Sequence, residues 1–163
     1  AGLALAWCAI VYPKNLDQRL AELMARAGCS QVSLGFESGS NDMLTSLNKR
    51  YSFQEVQRIS GNLADQGIRR MGFLLLGGPG ETRDTVEQSL EFAESLDLEA
   101  LKITVGIRIY PGTRLARQAE QAGVISPQDT LLQPRFYLEP GLRDWLPERI
   151  RDWSSKRPGL VVS

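Results

Sequence analysis

Apolar segments without a two-residue alternation recur along the chain, and segments with helical spacing separate them. Strands that are buried on both faces of a parallel sheet have this appearance. The segments of this kind are Leu3–Tyr12, Gln31–Phe36, Met71–Leu76 and Leu101–Tyr110. Alternating strands and helices joined by short turns require crossover connections onto a parallel sheet. The sequence therefore predicts an α/β fold in which each of these segments is a buried strand.

Residues that favour helix ends lie on either side of the helical segments. In the first, Asn15 is the predicted N-cap and Gly28 lies where a left-handed residue commonly follows a helix. The same signals predict further helices over 53–66, after the N-cap Thr82, over Thr113–Ala122 and over Leu142–Trp153. The pattern changes after Gly123, so we expect residues 126–163 to form a C-terminal extension that packs on the domain of residues 1–125.

Composition excludes several classes of function. The 163 residues contain 19 Lys and Arg against 19 Asp and Glu, so no bulk positive charge is available for nucleic acid. No apolar run approaches the roughly 20 residues of a membrane span. The chain has no His, and its only cysteines, Cys8 and Cys29, lack the spacing of a metal site. Without a secretory signal, a cytoplasmic location is expected, and no catalytic residue is indicated.

The turns that follow the predicted strands are the candidate ligand sites, because ligands of parallel α/β sheets bind at the carboxyl ends of the strands. Gly77-Gly78-Pro79-Gly80-Glu81-Thr82 follows the third strand. Its small residues would let a ligand approach the backbone, and the next helix would offer free N–H groups to an anion. Glycines that only form a tight turn explain the motif equally well.

Two further turns carry polar residues. Glu37 ends the second predicted strand, where a carboxylate is costly unless it faces a polar ligand or solvent. A solvated loop glutamate is the alternative interpretation. Arg108-Ile109-Tyr110-Pro111-Gly112-Thr113 ends the fourth, and there Pro111 and Thr113 are explained as turn and cap residues.

Together these motifs resemble radical S-adenosylmethionine (radical SAM) enzymes. The run Gly72–Thr82 resembles their fifth strand and its turn, and Gly106–Leu115 their sixth strand. Leu34–Ser40, followed by Leu47-Asn48-Lys49, is similar to their fourth strand and the next helix. The segments similar to the subgroup that carries a cobalamin-binding domain are Trp7–Pro13, Met24–Cys29 and Leu131–Leu138.

The resemblance implies that residues 1–125 hold the third to sixth strand-helix units of a partial (β/α)6 TIM-like barrel. In that family C-x-x-x-C-x-x-C after the first strand holds a four-iron-four-sulfur cluster through thiolates, and Cys8 and Cys29 do not match it. Since the chain starts at Ala1 inside an apolar stretch, we expect it to be part of a longer polypeptide whose upstream part carries the cluster ligands. The fragment alone is expected to be inactive.

The implied function is that of an iron-sulfur enzyme that reductively cleaves S-adenosylmethionine to start radical chemistry on an unknown small-molecule substrate, with cobalamin use left open. By resemblance Glu37 contacts the ribose, Lys49 pairs with the methionine carboxylate, and Leu75 packs on the adenine. The other implied cofactor-binding residues are Ser38, Gly77, Gly78, Pro79, Gly80, Glu81, Tyr110 and Pro111.

Two expectations complete this interpretation. The alternative function is a non-catalytic α/β binding or interaction module that holds a small anion at the glycine turn. The first strand, Leu3–Tyr12, is expected at an exposed sheet edge, and unpaired edge groups favour dimerisation.

Overall fold

The computed structural model describes residues 5–162 and has an α/β fold, as predicted. The strands of the main sheet are β1 (Trp7–Val11), β2 (Cys29–Glu37), β3 (Arg69–Leu76), β4 (Ala100–Val105) and, close to the C-terminus, β7 (Val161–Val162). Their order is β1-β2-β3-β4-β7, and every neighbouring pair is parallel. A separate antiparallel pair joins β5 (Ile107–Arg108) to β6 (Phe136–Tyr137).

Helices connect these strands. They are α1 (Gln18–Arg26), α2 (Asn41–Ser46), α3 (Phe53–Asp65), α4 (Arg83–Ser95), α5 (Arg114–Gln121) and α6 (Leu146–Ser155). The predicted N-caps Thr82 and Thr113 are confirmed, since each hydroxyl accepts a first-turn N–H. The prediction of Asn15 as the cap of α1 is wrong. Asp17 caps that helix by accepting the Leu20 N–H at 2.8 Å, and Asn15 instead adopts a left-handed conformation with φ of 60°, which asparagine tolerates well.

The fourth predicted strand is broken. β4 ends at Val105, and Gly106 turns the chain with φ of 82°. A Cβ at Gly106 would lie 3.0 Å from the Tyr137 carbonyl oxygen, so a glycine permits the close approach of β6. An unbroken strand from Leu101 to Tyr110 is therefore incorrect, because apolar periodicity does not record a change of hydrogen-bonding partner.

Burial differs between the two faces of the main sheet. On β2, Val32, Leu34 and Phe36 are fully buried on the face that the helices cover. The other face carries Phe73 and Leu75, which stay partly exposed, and Ile10, which is 88% exposed. We call it the open face. The expectation of strands buried on both faces does not hold within residues 5–162.

The C-terminal segment packs against the helix-covered side. Leu142, Leu146 and Trp153 belong to the same core cluster as Leu74 on β3. The Arg149 guanidinium on α6 also donates two hydrogen bonds, of 2.6 and 2.7 Å, to the Glu87 carboxylate on α4.

β1 lies at one end of the strand order, where the first predicted strand was expected. Leu3 and Ala4, which that prediction included, lie outside the described residues. Within the described range, no helix has the length and apolar character that spanning a membrane requires.

Candidate functional site

Glu37 is the last residue of β2 and has an unusual backbone conformation. Its φ is 62°, and the pairing of β2 with β3 shifts register between Gly35 and Glu37. A non-glycine residue in the left-handed region costs of order 1 kcal/mol and persists only where its surroundings require it. The carboxylate lines a cavity on the open face and is 23% exposed.

The C-terminus of α2 positions Lys49. The Lys49 N–H donates to the Leu44 carbonyl at 2.8 Å, and the Asn48 N–H donates to the Thr45 carbonyl at 2.9 Å. With Asn48 left-handed at φ of 55°, these bonds form a Schellman motif, which fixes the direction of the chain after a helix. The Lys49 Nζ donates to Glu37 Oε1 at 3.0 Å, so the structure brings these two predicted residues together.

Two tyrosines hold the segment around Lys49 against the strands. The Tyr12 hydroxyl accepts the Arg50 N–H at 2.9 Å, and the Tyr51 hydroxyl donates to the Gly35 carbonyl at 2.8 Å. The Lys14 Nζ donates to the Arg50 carbonyl at 2.7 Å. Burial, and then the charge of Glu37, raise the pKa of Tyr51, which keeps its hydroxyl protonated as a donor. Sequence reasoning missed this support because no local pattern joins Tyr12 to residues 50 and 51.

The open-face cavity has a volume of about 300 Å³. Phe73, Leu75 and Ile10 supply apolar walls, and the Glu37 carboxylate contributes charge at its edge, while Thr104 on β4 adds a hydroxyl. An apolar wall beside a carboxylate and an ammonium suits a ligand that has both a flat apolar part and polar groups. Leu75 and Glu37 line the same cavity, and the contact of Leu75 with an adenine stays a prediction.

The glycine turn is already satisfied internally. The Glu81 carboxylate accepts the N–H groups of Gly77 and Gly78, the latter at 3.1 Å. The Gly80 N–H donates to the Glu139 carboxylate at 2.9 Å, and the Glu81 N–H donates to the Gly78 carbonyl at 3.1 Å. Two carboxylates of the chain therefore occupy the place of an external anion in this turn, whereas the expectation that the next helix, α4, offers free N–H groups to an anion stays a prediction.

Glu81 itself is buried, with 4% of the residue exposed. Burial raises the pKa of Glu81 to about 7, although the N–H groups of Gly77 and Gly78 act in the opposite direction. Its Oε1 has no hydrogen-bond partner among the described residues. Glu81 thus stabilises the turn by accepting its N–H groups and does not line the open-face cavity.

A glycine at position 77 allows the C-terminal segment to approach the turn closely. Its φ is 89°, and the Leu138 side chain occupies the place of a Cβ. The Gly77 carbonyl also accepts the Glu139 N–H at 2.9 Å. Close approach of this segment is thus enough to explain a glycine here.

Ser38 points away from the cavity. It is fully buried, and its hydroxyl lies 2.9 Å from that of Ser89 on α4. The Gly39 N–H donates to the same Ser89 hydroxyl at 3.0 Å, and a Cβ at Gly39 would lie 2.5 Å from the Phe92 Cβ. Ser38 and Gly39 therefore dock the turn on α4, while Glu37 faces the opposite side.

The remaining predicted residues lie elsewhere. Tyr110 is 53% exposed, with the Arg108 guanidinium 4.9 Å from its ring centroid, and neither Tyr110 nor Pro111 lines the open-face cavity. Pro79 and Gly80 line a second cavity of about 660 Å³, which runs between the end of α2 and the start of α5. We call it the α2–α5 groove.

The described residues contain no group of three or more His, Cys, Asp or Glu side chains arranged to hold a metal ion. Cys8 is exposed, and Cys29 is buried. The two cysteines therefore do not form a cluster site within this part of the chain.

Comparison with known proteins gives a consistent match. The sequence model of the radical SAM superfamily matches residues 6–93, more than half of the chain. An uncharacterized methyltransferase of Pyrococcus horikoshii is 32% identical over 114 residues, which are 70% of this chain and 25% of the relative.

Solved structures extend the likeness in fold to almost the whole chain. The radical SAM methyltransferase TsrM from Kitasatospora setae, with tryptophan substrate and a SAM analog bound, matches at a TM-score of 0.73 and 23% identity over 93% of this chain and 36% of TsrM. A second structure of TsrM, with cobalamin and a [4Fe-4S] cluster bound, matches at 0.73 and 22% identity over 96% of this chain and 38% of TsrM. The chain thus spans between a quarter and two fifths of these proteins.

Proposed function

The chain belongs to the radical SAM superfamily, and we propose that it forms the adenosine and methionine-carboxylate side of an S-adenosylmethionine site. In this proposal Glu37 binds the ribose hydroxyls, Lys49 binds the methionine carboxylate, and Leu75 packs on the adenine. The single observation that carries it is the Glu37–Lys49 ion pair of 3.0 Å beside an apolar cavity at the carboxyl ends of β2 and β3.

The residues of the cavity fit the cofactor chemically. A carboxylate accepts hydrogen bonds from two neighbouring hydroxyls, and an ammonium offers three donors to a carboxylate. On binding, Lys49 would exchange Glu37 for the methionine carboxylate, and Glu37 would exchange Lys49 for the ribose. The exchange keeps both charges partnered. Because both side chains are only about a quarter exposed, neither would be left in water.

The cluster and cobalamin belong to the proposal for the whole protein. Cys8 and Cys29 do not fit an iron-sulfur cluster, so we assign its ligands to residues outside this chain. The bound S-adenosylmethionine and the cluster would supply the radical chemistry, and the residues described here would bind and orient the nucleoside. The methyltransferase relatives favour methyl transfer as the reaction class and cobalamin as a second cofactor.

The alternative of an anion-binding module at the glycine turn loses its main support. Glu81 and Glu139 already accept the N–H groups of Gly77, Gly78 and Gly80. An external anion would have to displace a carboxylate of the chain from each of these positions.

Titration of this chain with S-adenosylmethionine and with adenosine, followed by amide chemical shifts, tests the proposed site. We expect at best near-millimolar affinity for S-adenosylmethionine, about −4 kcal/mol, because only part of the site is here. Glu37→Gln should weaken both ligands. Lys49→Met should weaken S-adenosylmethionine alone, since adenosine has no carboxylate.

Glu22→Gln is the matched control, because Glu22 is an exposed carboxylate on α1 and should change neither titration. Equal weakening of both ligands by Lys49→Met would contradict the assignment of Lys49 to the methionine carboxylate. A micromolar complex would contradict the division of the site between this chain and other residues.

A further inference from the structure

The α2–α5 groove begins where the proposed cofactor site ends. Asn48 lines the groove, and the next residue, Lys49, pairs with Glu37. The groove also runs past Pro79 and Gly80 in the turn after β3. Its volume of about 660 Å³ lies within the range of small-molecule sites. A molecule bound in the groove would lie beside the proposed cofactor site.

The lining of the groove combines apolar surface with one charge. Leu47, Ile107 and Leu115 supply apolar contacts, whereas Arg114 on the first turn of α5 is the only charged residue of the lining. No ion pair among the described residues includes Arg114. The exposed Arg114 guanidinium thus lies, without an ion-pair partner among the described residues, at the wall of a groove whose lining is partly apolar and partly polar.

Uncharged polar side chains line the groove together with Arg114. Gln118 lies one helical turn further along α5, and Ser46 and Asn48 come from the end of α2. Within residues 5–162, no hydrogen bond of the fold uses these side chains. They are free to contact a ligand.

From this arrangement we infer that the α2–α5 groove binds the substrate, and that the substrate is a carboxylate with an apolar body. A single guanidinium matches the single charge and planar geometry of a carboxylate, which it binds through two parallel hydrogen bonds. A phosphate dianion would call for a second cation, and none lines the groove. The inference rests on the proposed function only in naming the ligand a substrate.

The test titrates this chain with 3-phenylpropanoate and follows the amide shifts of residues 45–48 and 114–118. We expect saturable shifts at these residues, with much smaller shifts from the isosteric 3-phenylpropanamide, which lacks the charge. Arg114→Gln should weaken 3-phenylpropanoate about fivefold, since an exposed charge-assisted contact contributes about 1 kcal/mol at most.

Arg117→Gln is the control, because Arg117 is exposed on the same helix but does not line the groove. It should leave the affinity unchanged. Equal binding of the amide, equal weakening by both arginine variants, or binding of phenyl phosphate in place of 3-phenylpropanoate would each overturn the inference.

This experiment also separates the two proposals. Glu37→Gln should leave binding of 3-phenylpropanoate intact, and Arg114→Gln should leave binding of adenosine intact. If the parent chain binds 3-phenylpropanoate but shows no response to adenosine, the cofactor site is contradicted and the groove is retained as a carboxylate site. If the parent chain binds adenosine but shows no response to 3-phenylpropanoate, the groove proposal is contradicted and the cofactor site is retained.

Discussion

Glu37 is the last residue of β2, and Glu81 lies in the glycine turn that follows the neighbouring strand β3. Glu37 is held in a left-handed conformation at the mouth of the open-face cavity and pairs with Lys49. Glu81 folds back under its own turn, is 4% exposed, and accepts two backbone N–H groups. Glu37 faces a cavity that can hold a ligand, whereas Glu81 occupies the position that a bound anion would take. Position near the carboxyl end of a strand therefore does not distinguish a binding residue from a supporting residue.

The largest difference between the two should appear in stability. Glu81→Ala leaves the buried N–H groups of Gly77 and Gly78 without acceptors, and we expect a loss of about 2–3 kcal/mol in the free energy of unfolding. Glu37→Ala should cost less than about 1 kcal/mol, because its partner is partly solvated. Urea denaturation at pH 6 measures both. Equal losses would remove the distinction, and Glu81→Gln, which keeps an acceptor oxygen, should lose less than Glu81→Ala.

The pH dependence of stability should sharpen the same contrast. The folded-state pKa of Glu81, about 7, exceeds its ordinary value of 4.5, so the folded chain holds this proton more tightly than the unfolded chain. The contribution of Glu81 to the free energy of unfolding is fully present below pH 4.5 and is lost as the pH rises through 7. We expect the stability of the parent chain to fall by about 2 kcal/mol relative to Glu81→Gln between pH 5 and 8. Parallel stability curves would contradict this.

Backbone strain gives a third, smaller test. Glu37→Gly removes left-handed strain of order 1 kcal/mol, but the lost ion pair and the larger unfolded-state entropy of glycine offset that gain, so we expect a change of less than about 0.5 kcal/mol in stability together with weaker binding of S-adenosylmethionine. Thermal unfolding and the ligand titration measure the two effects. A loss of more than about 1 kcal/mol would mean that Glu37 supports the fold as Glu81 does.

A similarly small effect is expected for the coupling within the ion pair. A double-mutant cycle of Glu37→Gln and Lys49→Met should give about 0.5 kcal/mol without ligand. The two-point contact of Arg149 with Glu87 is the matched comparison and should give more, because both guanidinium bonds are short. A coupling above about 2 kcal/mol for Glu37 and Lys49 would indicate a structural pair that does not open for a ligand.

Local signals in the sequence predicted most helices and strands, but they could not predict which distant segment each strand pairs with. The caps Thr82 and Thr113 are local, and both are confirmed. Asn15 and Asp17 are both good capping residues only two positions apart, so residue type could not decide between them. The break at Gly106 depends on β6, and β7 pairs with β4 from the far end of the chain. Such long-range pairings leave no periodic trace in a single sequence.

The candidate site shows the same division. Glu37, Lys49 and Leu75 are selected through the motifs that resemble the family, and their roles stay predictions. Ser38 could not be separated from Glu37, since the docking of its hydroxyl on Ser89 involves a residue 51 positions away. Arg114 lies in the run that resembles the sixth strand, but nothing in that run distinguishes it, and its place is seen only beside the groove.

The two acceptors of the glycine turn become available at different times during synthesis. Glu81 is three or four residues from the N–H groups that it accepts, whereas Glu139 is 59 residues from Gly80. A ribosome delivers the first partner almost together with the turn and the second only after α4, β4 and α5 have been made. Local contacts form before distant ones at lower entropic expense. The nascent chain therefore holds a turn shaped by Glu81 well before Leu138 and Glu139 arrive to close it.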